Sequence, residues 1–258
     1  MNSTAENSQP EMTPPSMVER LRGLWRGKTE EGEKPSQVLV ITNPAAGQDQ
    51  PFLKPVNEIF RGANLYWNVD LTMEMGDGRR LAQEAVAKGV HTVVAFGGDG
   101  TVVDVASGLV GKQVPLGILP GGTSNMMSRA FGIPQDIQAA ARLIADPDAH
   151  RLYPIYIGNA GEHFFQQLVG IGMEAQMVEG ADRQAKDRLG FFAYILAGLR
   201  ALTSPKNARY RIEMDDGQVV EEEGVTCLIA KVGNLGIPSL EKSENTADSD
   251  SPLMDIVV

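Results

Sequence analysis

The sequence predicts an α/β protein, with an N-terminal domain on a parallel sheet followed by a C-terminal antiparallel β domain. Three observations lead there. Four apolar runs alternate with helix-compatible stretches between Gln37 and Ala145, the rhythm of right-handed βαβ units. After Asp146-Pro147-Asp148 that rhythm gives way to paired runs around short polar turns, the mark of hairpins. And 258 residues with 42% hydrophobic and 22% charged content supply ample material for globular cores.

Taken in order, residues 1–36 read as a disordered tail, a short amphipathic segment and a linker. Residues 1–16 are rich in Ser, Thr, Asn and Pro, a composition that does not pack. Met17, Leu21, Leu24 and Trp25 share one helical stripe, with Arg20, Arg22, Arg26 and Lys28 largely elsewhere. Such a segment suits an anionic membrane surface.

From residue 37 to 147 the spacing predicts the α/β domain. Val38 to Ile41 is the first strand, followed by a helix over about 51–61. Leu65 to Met73 is the second, ending at Gly76-Asp77-Gly78 before a helix in which Leu81, Ala82, Ala85 and Val86 share a face. Thr92 to Phe96 is the third, ending at Gly97-Gly98-Asp99-Gly100-Thr101 before a helix over 102–110. Val114 to Leu119 is the fourth, ending at Pro120-Gly121-Gly122-Thr123, with helices over 125–131 and 137–145.

Residues 148–258 predict the antiparallel domain. Strands at Tyr153 to Ile157 and His163 to Val169 flank a turn at Gly158 to Gly161, and strands at Ala208 to Met214 and Gln218 to Glu223 flank Asp215-Asp216-Gly217. Val225 to Val232 and Leu253 to Val258 add two more. A helix over about 182–202, apolar nearly all round from Leu189, interrupts them; it reads as core, with a lipid-facing wall the sharper alternative.

Charge and composition narrow the function. The formal charge of −10 sits mostly in residues 143–258, which hold 18 acids against 10 bases. That balance argues against nucleic-acid partners, which need clustered Lys and Arg. The longest apolar run, Phe191 to Leu199, falls far short of the roughly 20 residues a bilayer span requires. Without a signal-like N-terminus, and with Cys227 as its one cysteine, the chain reads as cytoplasmic.

The chemistry should lie where the four parallel strands end, because doubly wound sheets bind ligands along that edge. In Gly97 to Thr101, missing Cβ atoms let the backbone approach an anion, and the first N–H groups of the next helix can point at phosphate oxygens. Thr123 and Ser124 add hydroxyls beside a second glycine pair and helix start, so two facing anion sites are expected, suited to a polyphosphate. Neither GxxxxGK[ST] nor GxGxxG is present: Gln113 follows Gly111-Lys112, and Val103 stands where the third glycine belongs. Asp99 would repel a phosphate unless a divalent cation mediates or its carboxylate handles a proton; an Asx turn or helix cap is its plainer role. His91, His150 and His163 have no metal-ligand spacing.

Asn43-Pro44-Ala45-Ala46-Gly47, Gly97-Gly98-Asp99-Gly100-Thr101 and Leu119-Pro120-Gly121-Gly122-Thr123-Ser124-Asn125, in that order and spacing, resemble the diacylglycerol kinase catalytic-domain family, with its YegS-like lipid kinases and sphingosine kinase relatives. The resemblance runs from about Val38 to Val258. It implies an ATP- and Mg²⁺-dependent kinase acting on a hydroxyl of diacylglycerol or a related lipid, in peripheral contact with a membrane. It also implies a C-terminal β-sandwich, carried here in truncated form. By motif, Asn43, Thr72, Gly97, Gly98, Asp99, Gly100, Thr101, Val102, Val103, Gly122, Thr123 and Asn125 would hold nucleotide, with Asp99 the catalytic residue acting through Mg²⁺.

Some positions depart from the family's pattern. Val103-Asp104 stands where Asn-Glu is usual, and Asp250-Ser251-Pro252 replaces an Asp-Asp-Gly turn that holds a structural Mg²⁺ in some members. The family continues past the strand matching Leu253 to Val258 with an acidic general base. A chain without it would forfeit about 10²–10⁴-fold in rate. The alternatives are therefore a non-catalytic nucleotide-binding protein on the same scaffold and, from the shared Gly-Gly-Asp-Gly-Thr turn, an NAD kinase.

Overall fold

The computed structural model describes residues 37–44, 51–172, 207–231 and 254–258. The predicted segments at 17–28 and 182–202 lie outside them, as do Ala45 to Gly47 and Asp250 to Pro252. The chain divides into two units, Met1–Tyr153 and Pro154–Val258.

In the first unit β1 (Gln37–Thr42), β2 (Tyr66–Leu71), β3 (Thr92–Gly97) and β4 (Leu116–Pro120) form one parallel sheet in the order β2-β1-β3-β4. The connecting helices are α1 (Leu53–Gly62), α2 (Asp77–Ala87) and α3 (Asp99–Leu109), and α4 (Met126–Ala130) and α5 (Ile137–Ala145) follow β4. β1 and β3 are buried along nearly their whole length, which is why they read as continuous apolar runs rather than alternating ones.

Alternate residues feed two cores. Leu39, Ile41, Val93 and Ala95 pack with Leu81, Ala82 and Ala85 of α2 and Val102, Val105 and Leu109 of α3. Val38, Val40, Val94 and Phe96 face the other way, onto Val56 and Phe60 of α1 and Ile137, Ala140, Ala141 and Ile144 of α5. Helices therefore cover both faces. The chain moves from β1 outward to β2 and then returns past β1 to β3. The reversal lies between β1 and β3, and in doubly wound sheets the ligand crevice lies at such a reversal, outside the carboxyl ends of the strands.

The second unit is antiparallel. β5 (Gly158–Ala160) pairs with β6 (His163–Phe165), β8 (Ala208–Glu213) pairs with β9 (Val219–Gly224), and β7 (Leu168–Gly172), β10 (Thr226–Ala230) and β11 (Asp255–Val257) form a sheet in the order β11-β10-β7. Cys227 is buried on β10.

The hairpin expected around Gly158 to Gly161 is displaced. Tyr153 to Ile157 is not a strand, and Pro154 has no N–H to give a ladder. Gly158 is itself a strand residue, because the Phe165 ring lies against it where a Cβ would collide. The turn falls at Gly161, whose φ of +67° is the left-handed geometry glycine supplies. The second hairpin turns as expected at Asp215-Asp216-Gly217: Gly217 has φ +84°, and Asp216 accepts the Gln218 N–H at 2.9 Å.

Candidate nucleotide site at the carboxyl edge

The residues ending β1, β2, β3 and β4 share one edge of the sheet, as their parallel order requires. α3 begins at Asp99, inside the glycine-rich turn rather than after it. The N–H groups of Asp99, Gly100 and Thr101 therefore open the helix. They have no backbone acceptor among the described residues, whereas Val102 donates to the Gly98 carbonyl at 3.1 Å. Three amides and the positive end of an 11-residue helix meet at the crevice.

The glycines serve two purposes. A Cβ on Gly100 would meet nothing within 4 Å, so this is the place where backbone lies open. Gly97 is filled by Thr101, whose Oγ1 would lie 2.6 Å from an added Cβ. A Cβ on Gly122 would collide with the Cα of Gly98, and one on Gly121 would sit 2.7 Å from the Phe96 ring. The Gly121 N–H donates to the Gly97 carbonyl at 2.9 Å. Gly122 thus lets two loops pack backbone to backbone, leaving no room for a water between Gly98, Pro120 and Asn125. A ligand would lie over the amides, not between the loops.

The expected second anion site is taken up internally. Asn125, at φ +48°, accepts the Gly122 N–H on its Oδ1 at 2.8 Å. Asp99 accepts the Met127 N–H on its Oδ1 at 2.9 Å, capping α4 from 28 residues away. Two of the amides that would have held a second phosphate therefore serve the loop itself. Thr123 and Ser124 remain exposed at its tip. The other oxygen of Asp99 has no hydrogen bond among the described residues. Val102 is in the core at 2% exposure, and Val103 packs against the same cluster, so neither side chain faces the crevice. Asn43 follows Thr42, the last residue of β1, which lies opposite Phe96 near the end of β3.

Two carboxylates not singled out for these tasks organise the approach from β2. Asp77, 6% exposed, accepts the N–H groups of Met73 at 2.7 Å and Glu74 at 3.1 Å on Oδ2, and Arg80 at 2.7 Å on Oδ1. The Met73 amide, then Arg80 and the Glu74 amide, hold its pKa at about 2, below its ordinary 3.8. Thr72 is buried; its N–H donates to the Thr42 carbonyl at 2.9 Å, and its hydroxyl makes a long 3.5 Å bond to the same oxygen. Asp104 in α3 accepts the Gly78 N–H at 2.9 Å, tying the second turn of that helix to the start of α2. The sequence signal for Asp77 was available: an acid directly after a glycine, at the head of a helical pattern.

Comparison with known proteins agrees with this architecture. The family described as diacylglycerol kinase catalytic domain matches residues 37–155. A crystal structure of a diacylglycerol kinase from Bacillus anthracis str. Sterne superposes with a TM-score of 0.64 at 32% identity, covering 87% of this chain and 73% of that one. The chain belongs to the diacylglycerol kinase catalytic-domain family. Within it, the Bacillus subtilis diacylglycerol kinase is 29% identical over 85% of this chain and 72% of its own length. The "Probable lipid kinase YegS-like" of Klebsiella pneumoniae is 31% identical over 78% of this chain and 65% of its own. The chain therefore spans about two thirds to three quarters of these lipid-kinase relatives. Among the described residues, no helix is long and apolar enough to cross a membrane.

Proposed function

We propose that the protein is an ATP-dependent kinase that transfers the γ-phosphoryl group to a hydroxyl of diacylglycerol or a related lipid, in peripheral contact with the cytoplasmic face of a membrane. The observation that carries this reading is the set of three amides, Asp99, Gly100 and Thr101, that open α3 beside the β1/β3 crevice with no backbone acceptor among the described residues. A triphosphate brings acceptor oxygens and negative charge to that helix end, which supplies donors and a favourable dipole.

The residues fit Mg²⁺ as a partner of the nucleotide rather than as a tightly caged ion. Among the described residues no three His, Cys, Asp or Glu side chains gather to hold a metal, but Asp99 keeps one carboxylate oxygen uncommitted beside the open amides. Mg²⁺ bound there would neutralise charge on the phosphates. Asp99 holds its own position by capping α4, the α3 amides orient the phosphates, and the Gly98–Gly122 contact fixes both loops. Phosphoryl transfer depends chiefly on such positioning and charge neutralisation.

Calorimetry with Mg-ATP, paired with transfer of labelled phosphate to diacylglycerol in mixed micelles, tests the reading. ATP binding and labelled phosphatidate are the expected result. ATP binding with no lipid product would select a nucleotide-binding protein, and no ATP binding would overturn both.

A further inference from the structure

We propose that the groove between the ends of α1 and α5 seats residues 17–28 of the same chain as an amphipathic arm. The groove has a volume of about 600 Å³ and is mostly apolar. Ile59 and Ala63 line it from the end of α1, and Leu143 and Ala149 line it from α5 and the turn beyond. Its charged residues are Arg142 and Asp146, both exposed. Ala63 and Ala149 are also exposed, so small side chains leave the groove open to solvent. α1 runs back from the end of β1 to the start of β2, which puts this groove at the edge of the sheet opposite the glycine-rich turns. An occupant there leaves the amides of α3 uncovered.

The place where the N-terminal residues join the fold selects the occupant. Ala63 precedes by three residues Tyr66, which pairs directly with Gln37, the first residue of β1. Extended chain advances at most about 3.6 Å per residue and paired strands lie about 5 Å apart, so Gln37 stands within about 16 Å of Ala63. Residues 29–36 join Gln37 to Lys28, a tether that reaches up to about 30 Å. So short a tether holds its end at millimolar effective concentration, and a weak intrinsic affinity then suffices to fill the groove. Met17, Leu21, Leu24 and Trp25 fall at i, i+4, i+7 and i+8, one apolar stripe on a helix about 18 Å long. Large side chains on the arm thus meet small ones in the groove. Arg20, Arg22, Arg26 and Lys28 against Glu19 give the arm a net charge of +3, and Asp146 offers a partner to one of these cations. An anionic bilayer would compete for the same stripe, but it would have to approach a chain of net charge −10, whereas the groove is tethered to the arm.

Tryptophan emission and acrylamide quenching of the full chain test the proposal, with the signal of a Trp25→Phe variant subtracted to separate Trp25 from Trp67. Trp25 is expected to emit to the blue of a solvated indole and to resist quenching. Ala63→Arg and Ala149→Arg each put a long cation into the groove from an exposed position, and each should return Trp25 to the emission and quenching of an indole in water. Leu24→Asp should do the same from the side of the arm, and hydrogen exchange at residues 143–149 should quicken severalfold in that variant. Leu24 belongs to neither core of the first unit, so this arm of the experiment stands even where an arginine variant does not fold. Trp25 quenched like solvated indole in the wild type, or emission unchanged by all three substitutions, would overturn the proposal. So would burial of Trp25 that grows with protein concentration, which assigns the groove to a second copy. Burial that appears only on adding phosphatidylglycerol vesicles would assign the stripe to a membrane and overturn it equally.

Discussion

The Oδ1 atom of Asp99 accepts the backbone N–H of Met127 at 2.9 Å, so one carboxylate both opens α3 and caps α4. This bond makes Asp99 a structural residue of the site before any ligand arrives. It also lets two roles be separated by substitution.

Asp99→Asn keeps an acceptor oxygen for Met127, whereas Asp99→Ala removes it. Loss of a helix cap costs about 1 kcal/mol, equivalent to roughly 2–4 °C in a chain of this size. Thermal unfolding should therefore place the alanine variant a few degrees below the wild type and the asparagine variant close to it. Phosphoryl transfer should fall by at least about 10²-fold in both, because neither side chain carries charge to the phosphates. Equal stability of all three proteins would remove the cap from the account.

The glycines of the two loops should differ sharply in tolerance. Gly122→Ala drives a Cβ into the Cα of Gly98, backbone that moves only if a loop moves, and overpacking of this kind costs about 1–3 kcal/mol. Gly100→Ala meets open space within a helix, where alanine is favoured by about 0.5–1 kcal/mol. Chemical denaturation should show opposite signs for the two. ATP affinity should drop for Gly122→Ala through loss of loop geometry.

Much of the first unit was legible because burial on both faces of β1 and β3 forces continuous apolar runs, and the turns between them must then fall on one edge. The purpose of individual glycines was not legible. Gly121 and Gly122 are required by the Phe96 ring and the Gly98 backbone, which reach them from β3 and the loop after it, and a sequence does not display such contacts. The same holds for Gly158, which looked like a turn residue and is a strand residue under Phe165. Val102 and Val103 fell within a phosphate-binding motif by sequence yet point into the core, since a helix starting at Asp99 turns them inward.

Asp77 should make stability depend on acid. Its pKa is depressed to about 2 from 3.8, so the folded state binds its proton less readily than the unfolded chain. The stabilisation is fully present above about pH 4 and is lost as pH falls toward 2. Asp77→Asn removes that dependence. The gap in denaturation midpoint between wild type and variant should therefore narrow steadily as pH falls through that window; a constant gap would show that the Met73 and Arg80 contacts do not depend on the charge.

Asp104 and Gly78 form a coupled pair, and a double-mutant cycle can show it. Asp104→Ala leaves the buried Gly78 N–H without its acceptor, which costs about 1–3 kcal/mol. Gly78→Ala alone places a Cβ 2.7 Å from Asp104 Oδ2 and strains the same contact from the other side. Once Asp104 is alanine, the new methyl group has room, so the second substitution should cost less than it does in the wild type. The coupling should favour the double variant over the sum of the singles by about 0.5–3 kcal/mol. Because the bond joins α3 to the start of α2, both single variants should also weaken ATP binding, although neither residue belongs to the open amides. Additive stabilities with unchanged ATP affinity would mean that the loop after β2 and the phosphate-binding helix are positioned independently.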